Sequence, residues 1–251
     1  MFKIALVTGA TSGIGRATAI ALAKQGYQLI VTGRRKERLE ELQQELEGVT
    51  TVLPLLFDVR NKEAVQFAIA SLPEEWQQID VLVNNAGNAH GLSPIQEGSL
   101  EDWDAMLDIN VKGLLYVSHA VIPFMQKQGR GHIINIGSIA GKEVYANGNV
   151  YCASKFAVDA LSKAMRIDLI TTGIKVSEVN PGLVETEFSE VRFKGDKERA
   201  AGVYQGYQPL KADDIADLIA FIVSRPPHVN LAEVMILPAA QASATVVNKN
   251  L

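Results

Sequence analysis

Lys3-Ile4-Ala5-Leu6-Val7-Thr8-Gly9-Ala10-Thr11-Ser12-Gly13-Ile14-Gly15 is the stretch on which the fold turns. A short apolar run ends in three glycines, and a helical pattern takes over from Gly13 to Gln25. Glycine permits φ > 0 and lets backbone approach a ligand with no Cβ in the way. A helix that starts there aims free N–H groups and the positive end of its dipole at a phosphate. The spacing is Gly-x-x-x-Gly-x-Gly, not the Gly-x-Gly-x-x-Gly of the usual dinucleotide fingerprint. A tight turn with no ligand gives the same local pattern, so the context decides.

The context is an alternation. Lys3–Thr8, Gln28–Thr32, Thr51–Phe57, Asp80–Val83, His132–Gly137, Lys175–Asn180 and Glu233–Leu237 read as strands rich in Val, Ile and Leu. Between them lie the helical patterns Gly13–Gln25, Lys36–Leu46, Lys62–Leu72, Asp102–Gln126, Ala153–Thr171 and Asp213–Ser224. Such alternation predicts crossover connections and a parallel sheet buried on both faces. The expected fold is α/β: a single doubly wound Rossmann-type domain over 1–251, with a seven-stranded parallel sheet flanked by helices on both faces. Ligands of such sheets bind at the carboxyl ends of the strands. Gly9, Thr11, Ser12, Gly13, Ile14 and Gly15 are therefore predicted to hold a dinucleotide pyrophosphate.

Composition narrows the class. A formal charge of −4 argues against a nucleic-acid surface. No apolar run approaches the ~18–20 residues of a membrane span. The apolar run near Met1 is interrupted at Thr8-Gly9, too early for a signal-peptide core. The single cysteine, Cys152, excludes an internal disulfide and fits a cytoplasmic location. His90, His119, His132 and His228 show no ligand spacing, so no metal is expected.

The second strand ends in Val31-Thr32-Gly33-Arg34-Arg35. Folds that choose NAD usually place an acid there for the ribose 2′-hydroxyl. Here a glycine stands in its place and two arginines follow, which suits a 2′-phosphate and predicts NADP. The alternative is that Arg34 and Arg35 only begin a solvated helix. Asp58, followed by Val59, ends the third strand where a carboxylate can accept from an adenine amino group. Asn84-Asn85-Ala86-Gly87 ends the fourth, where amides either tie loops together or touch the ribose.

Tyr151 and Lys155, four apart on one helix, share a face. An ammonium beside a phenol lowers its pKa and equips it to move a proton. Ser138 ends the fifth strand, within reach of a carbonyl oxygen held at that sheet edge. Asn110 sits inside a long helix, an awkward place for an amide, and can bind a water near Lys155.

Taken in order, the glycine turn, Asn84-Asn85-Ala86-Gly87, Asn110, Ser138, Tyr151-Cys152-Ala153-Ser154-Lys155 and Pro181-Gly182 resemble the short-chain dehydrogenase/reductase family over the whole chain. The resemblance implies Tyr151 as proton donor or acceptor and Lys155 as the group that lowers its pKa and binds the nicotinamide ribose. It implies Ser138 as the residue orienting the substrate oxygen and Asn110 as holder of a relay water. Pro181, Gly182, Val184 and Thr186 would contact the nicotinamide end of NADP(H). Assembly as a homotetramer, or a dimer, would use the helices Asp102–Gln126 and Ala153–Thr171.

The segment 183–206 is then expected to be a substrate lid. Its Arg192 can clamp a carboxylate, or its cations can simply pair with Glu187, Glu190 and Asp196. The run Glu187–Asp196, with Pro227-His228-Val229-Asn230 and Leu237-Pro238, is similar to NADP-dependent 3-hydroxy acid dehydrogenases acting on serine and allo-threonine and reducing malonic semialdehyde. Gly141–Tyr145 is expected to line the pocket, with Lys142 and Glu143 adding charge. A 3-oxoacyl carrier-protein reductase, a broad carbonyl reductase and a non-catalytic NADP sensor are the alternatives. The tail from Ala239 is expected to pack on a neighbouring subunit or to fray.

Overall fold

A computed structural model describes residues 3–250; Met1, Phe2 and Leu251 lie outside the described residues. Strand β1 (Lys3–Val7) leads through the glycine turn into helix α1 (Gly13–Lys24). Strand β2 (Tyr27–Gly33), helix α2 (Lys36–Glu45), strand β3 (Val52–Leu56), helix α3 (Lys62–Ala70) and strand β4 (Ile79–Asn84) follow. Helices α4 (Leu100–Leu107) and α5 (Leu114–Gln128) precede strand β5 (Gly131–Ile136), helix α6 (Asn149–Asp168) and strand β6 (Ile174–Pro181). A short excursion, β7 (Val184–Glu185), α7 (Phe188–Arg192), α8 (Lys197–Gly202) and β8 (Leu210–Lys211), leads to helix α9 (Ala212–Val223) and strand β9 (Glu233–Ile236).

Seven strands form one parallel sheet in the order β3-β2-β1-β4-β5-β6-β9, as the alternation predicts. Side chains alternate along each strand. Ile4 and Leu6 of β1 therefore join one apolar layer, with Val117 and Met125. Ala5 and Val7 join the opposite layer, with Leu22 and Ile219. The strand order reverses between β1 and β4, which places the open crevice of the sheet at their carboxyl ends.

Three expectations are corrected. The predicted helix Asp102–Gln126 is broken by a π-helical turn, Asp108–Gly113, between α4 and α5. Apolar periodicity runs on through the break. The extra residue of a π turn rotates the face that follows, and here it carries Asn110 inward to 2% exposure. The stretch Leu100–Gln128 is also long and apolar enough by composition to cross a membrane, contrary to the reading of short runs. Its apolar side is used internally, since Val117, Val121 and Met125 are fully buried. The C-terminal tail, expected to fray or to pack on a neighbour, folds back on its own chain. Gln241 Oε1 accepts the Leu183 N–H at 2.9 Å, and Glu143 accepts the Ala244 N–H at 2.8 Å.

Candidate active site

The glycine turn is built for close approach. Gly9 and Gly13 adopt φ of +65° and +51°, and a Cβ at Gly15 would collide with Gly9 O and the Asn85 amide. Asn85 donates to the carbonyls of Thr8 (2.9 Å) and Gly9 (3.2 Å). Thr8 Oγ1 in turn accepts from the N–H groups of Asn85 and Ala86, both at 3.0 Å. These bonds lock the ends of β1 and β4 together. Asn84 points the other way, into the core, where it donates to Ser118 and Asn135 at 2.9 Å. Of the two amides, only Asn85 therefore reaches the cavity.

Ser12 precedes α1 without capping it through its side chain. Its hydroxyl instead accepts from Arg35 at 2.7 Å, and Arg35 also donates to Thr11 at 2.9 Å and pairs with Glu187 at 2.9 Å. A guanidinium is thus tied to the rim of the turn. A side chain at Gly33 would run into the Thr11 methyl, so β2 must end in glycine for Thr11 to sit where it does. Arg34 lies 3.6 Å from Asp58, whose carboxylate is forked by Arg60 at 2.6–3.1 Å. Burial raises the Asp58 carboxyl, but the hydrogen bonds and charge of Arg60 outweigh it and hold the group below its ordinary range.

One cavity of about 470 Å³ runs from this turn to the end of β5. Every residue predicted to bind cofactor lines it except Gly15, which shapes the turn from behind. That includes Val59, Ala86, Gly87, Pro181, Gly182, Val184 and Thr186. Gly87 and Gly182 turn out to make room for protein: a Cβ at Gly87 would sit 2.9 Å from Asn110 Oδ1, and one at Gly182 would strike Gln241.

Ser138, Tyr151 and Lys155 meet at the far end of the cavity, all less than a tenth exposed. Ser138 stands beside the Tyr151 hydroxyl, and its Oγ accepts the Ala140 N–H at 3.1 Å. Lys155 Nζ donates to Ile136 O at 2.9 Å and lies 6.0 Å from the Tyr151 ring centre. Burial pushes Lys155 down to about 8, with Glu178 pulling upward. Burial pushes the Tyr151 phenol up, with Tyr145 adding to the rise and Ser138 and Arg192 opposing it. The expected depression of the phenol is thus reversed by desolvation. Asn110 donates to Asn88 O at 2.8 Å and Ser154 Oγ at 3.0 Å, and accepts the Asn88 N–H at 2.9 Å. Both donors of its amide are therefore occupied, and it stands behind the cavity wall rather than in it.

Helix α7 covers this end. Phe188 stands edge-on to the Tyr151 ring at 5.7 Å, and Arg192, one turn later, lies 5.4 Å from the same ring. Arg192 donates to the Tyr145 hydroxyl at 2.6 Å and to Gly91 O at 3.3 Å. It pairs with none of Glu187, Glu190 and Asp196; Glu187 pairs with Arg35 and Arg38, and Lys194 with Asp102. Tyr145 lines the cavity, but Lys142 and Glu143 do not. Lys142 turns away to bind Asp159 (2.5 Å), Glu233 (2.9 Å) and Glu178 (3.3 Å), because three carboxylates converge behind β6 and need a cation. Phe188 and Tyr204, within the expected lid, also line the cavity; Gln241 lines it too and carried no sequence signal, since it reaches the site by a long-range fold-back.

A family model described as short chain dehydrogenase matches residues 3–197. The NADP-dependent 3-hydroxy acid dehydrogenase YdfG of Salmonella typhi is 48% identical over 96% of this chain and 97% of its own. Sulfoacetaldehyde reductase 2 of Chromohalobacter salexigens is 44% identical over the full length of both chains. Among solved structures, the closed form of serine dehydrogenase complexed with NADP+ superposes with a TM-score of 0.92 at 46% identity, covering 97% of this chain and 98% of that one.

Proposed function

Because the chain belongs to the short chain dehydrogenase family, we propose that it is an NADP-dependent dehydrogenase of short 3-hydroxy acids, of the serine, allo-threonine and 3-hydroxypropionate type. The observation that carries the acid specificity is Arg192, a guanidinium turned toward Tyr151 and free of carboxylate partners among the described residues. A carboxylate bound there would be forked by Arg192 while its 3-carbon faces Ser138 and Tyr151. The relatives fit that chemistry: one acts on 3-hydroxy acids, one on serine and one on a sulfonated aldehyde, and all three substrates carry an anion.

The cavity fits NADP. Backbone at Gly9 and Gly13 comes close where a Cβ would be strained, and Arg34 and Arg35 suit a 2′-phosphate beside Gly33. When bound, NADP supplies or removes the hydride. The protein does the rest. Ser138 donates to the substrate oxygen, and Tyr151 gives it a proton in reduction or takes one in oxidation. Lys155, held by Ile136 O, stabilises the charge that forms on the phenol. Asn110 fixes the Asn88 loop to α6 and keeps one lone pair of its oxygen available. The segment 183–206 acts as the lid, and its Arg192 faces the substrate end of the cavity.

We further propose a cytoplasmic homotetramer or dimer. Leu115 on α5 and Phe156 and Ile167 on α6 are exposed on the helices through which the family assembles.

Exchange of Arg192 for glutamine tests the acid specificity. The expected result is a KM for serine raised about tenfold to a hundredfold, the weight of one charge-assisted bond pair, with kcat on an uncharged alcohol unchanged. An equal loss on both substrates would show that Arg192 only supports the lid.

A further inference from the structure

The residue before Pro181 sits at the end of β6, fully buried, and outside the cavity wall. It is Asn180, and its Oδ1 accepts the backbone N–H of Ser138 at 3.0 Å. Beside it, the Gly137 N–H donates to Val179 O at 2.8 Å. Ser138 has extended backbone (φ −173°, ψ 158°) and breaks away from the β-ladder there. Its N–H therefore has no ladder carbonyl to meet, and a side chain supplies the acceptor.

The packing around this bond is close. A Cβ on Gly137 would strike Asn180 Oδ1 and lie 2.5 Å from Glu178 Oε1. Gly137 is small so that Asn180 can reach Ser138. The buried Asn180 Nδ2 has no partner among the described residues. An unpaired buried amide donor is costly. A core residue kept at that cost has a use, and the one bond it makes is to the turn that carries the Ser138 hydroxyl.

We propose that Asn180 is a positioning residue: it fixes the Ser138 backbone, and through it the hydroxyl that orients the substrate oxygen. It touches neither substrate nor cofactor. The proposal rests on the reading of Ser138 as that hydroxyl, and the test separates the two.

The test is a double-mutant cycle of Asn180→Ala and Ser138→Ala, with kcat measured in each background and NADPH affinity measured by fluorescence as the check on folding. Asn180→Ala is expected to lower kcat about tenfold to a hundredfold, the cost of a small misplacement of a reacting group. NADPH affinity should be unchanged, because Ser138 lies away from the phosphate turn. In the Ser138→Ala background the same exchange should change kcat less than about twofold, since effects through one shared group do not add. A purely structural role predicts the same loss in both backgrounds, and that result overturns the proposal. Full activity in Asn180→Ala overturns it as well. If Ser138→Ala alone keeps full activity, the reading of Ser138 fails and takes the proposal with it. Where Asn180→Ala does not fold, Asn180→Ser is used in the same cycle: it is polar and small, and its hydroxyl is too short to reach the Ser138 N–H. Asn180→Asp, which keeps the acceptor, should retain most of the kcat lost in Asn180→Ala.

Discussion

Phenylalanine at Tyr151 is expected to lower kcat by about 10²–10⁴-fold, the usual contribution of a positioned general acid or base. NADPH binding should be retained. The ring stays, with its contacts to Phe188 and Arg192, and only the hydroxyl beside Ser138 is removed. The pH profile of the wild type carries the same mechanism. In reduction Tyr151 must be protonated and Lys155 charged. Burial raises the phenol, so it stays protonated through neutral pH, whereas Lys155 loses its proton near pH 8. Reduction should therefore slow as pH rises through about 8. Steady-state kinetics between pH 6 and 10 check both statements. Full turnover in Tyr151→Phe would contradict the proton-transfer role given to Tyr151.

Alanine at Arg35 is expected to weaken NADPH binding by about tenfold to a hundredfold while leaving NADH binding unchanged, from the ~1.5–3 kcal/mol of a hydrogen bond to a charged group. The guanidinium is placed for this by Thr11 and Ser12, two residues of the phosphate turn itself. Its pair with Glu187 is half-exposed and contributes little. The NADPH preference of the wild type should also shrink as salt is added, because the contact is screened. Titration of both cofactors into both proteins decides. An equal loss for NADPH and NADH would mean that Arg35 only braces the turn.

The frame of the fold was legible because it rests on local signals. Buried parallel strands are apolar on both faces, and each of the seven announced itself in that way. The glycine turn and the Tyr151–Lys155 spacing were legible for the same reason: short-range geometry forces them. The π turn at Asn110 was not, because an inserted residue leaves apolar periodicity nearly intact. Lys142 was misplaced because its partners, Asp159, Glu178 and Glu233, come from three other elements. Gln241 was missed for a similar reason: its link to Leu183 spans 58 residues. The rise in the Tyr151 pKa depends on how deeply the phenol is buried, and a four-residue spacing on a helix says nothing about depth.

Initial rates of NADP+ reduction with serine, allo-threonine and 3-hydroxypropionate, set beside uncharged alcohols of equal length, test the central claim most directly. The claim predicts kcat/KM higher on the acids by at least about tenfold, the least that one charge-assisted contact provides. Equal rates on the uncharged alcohols would contradict it.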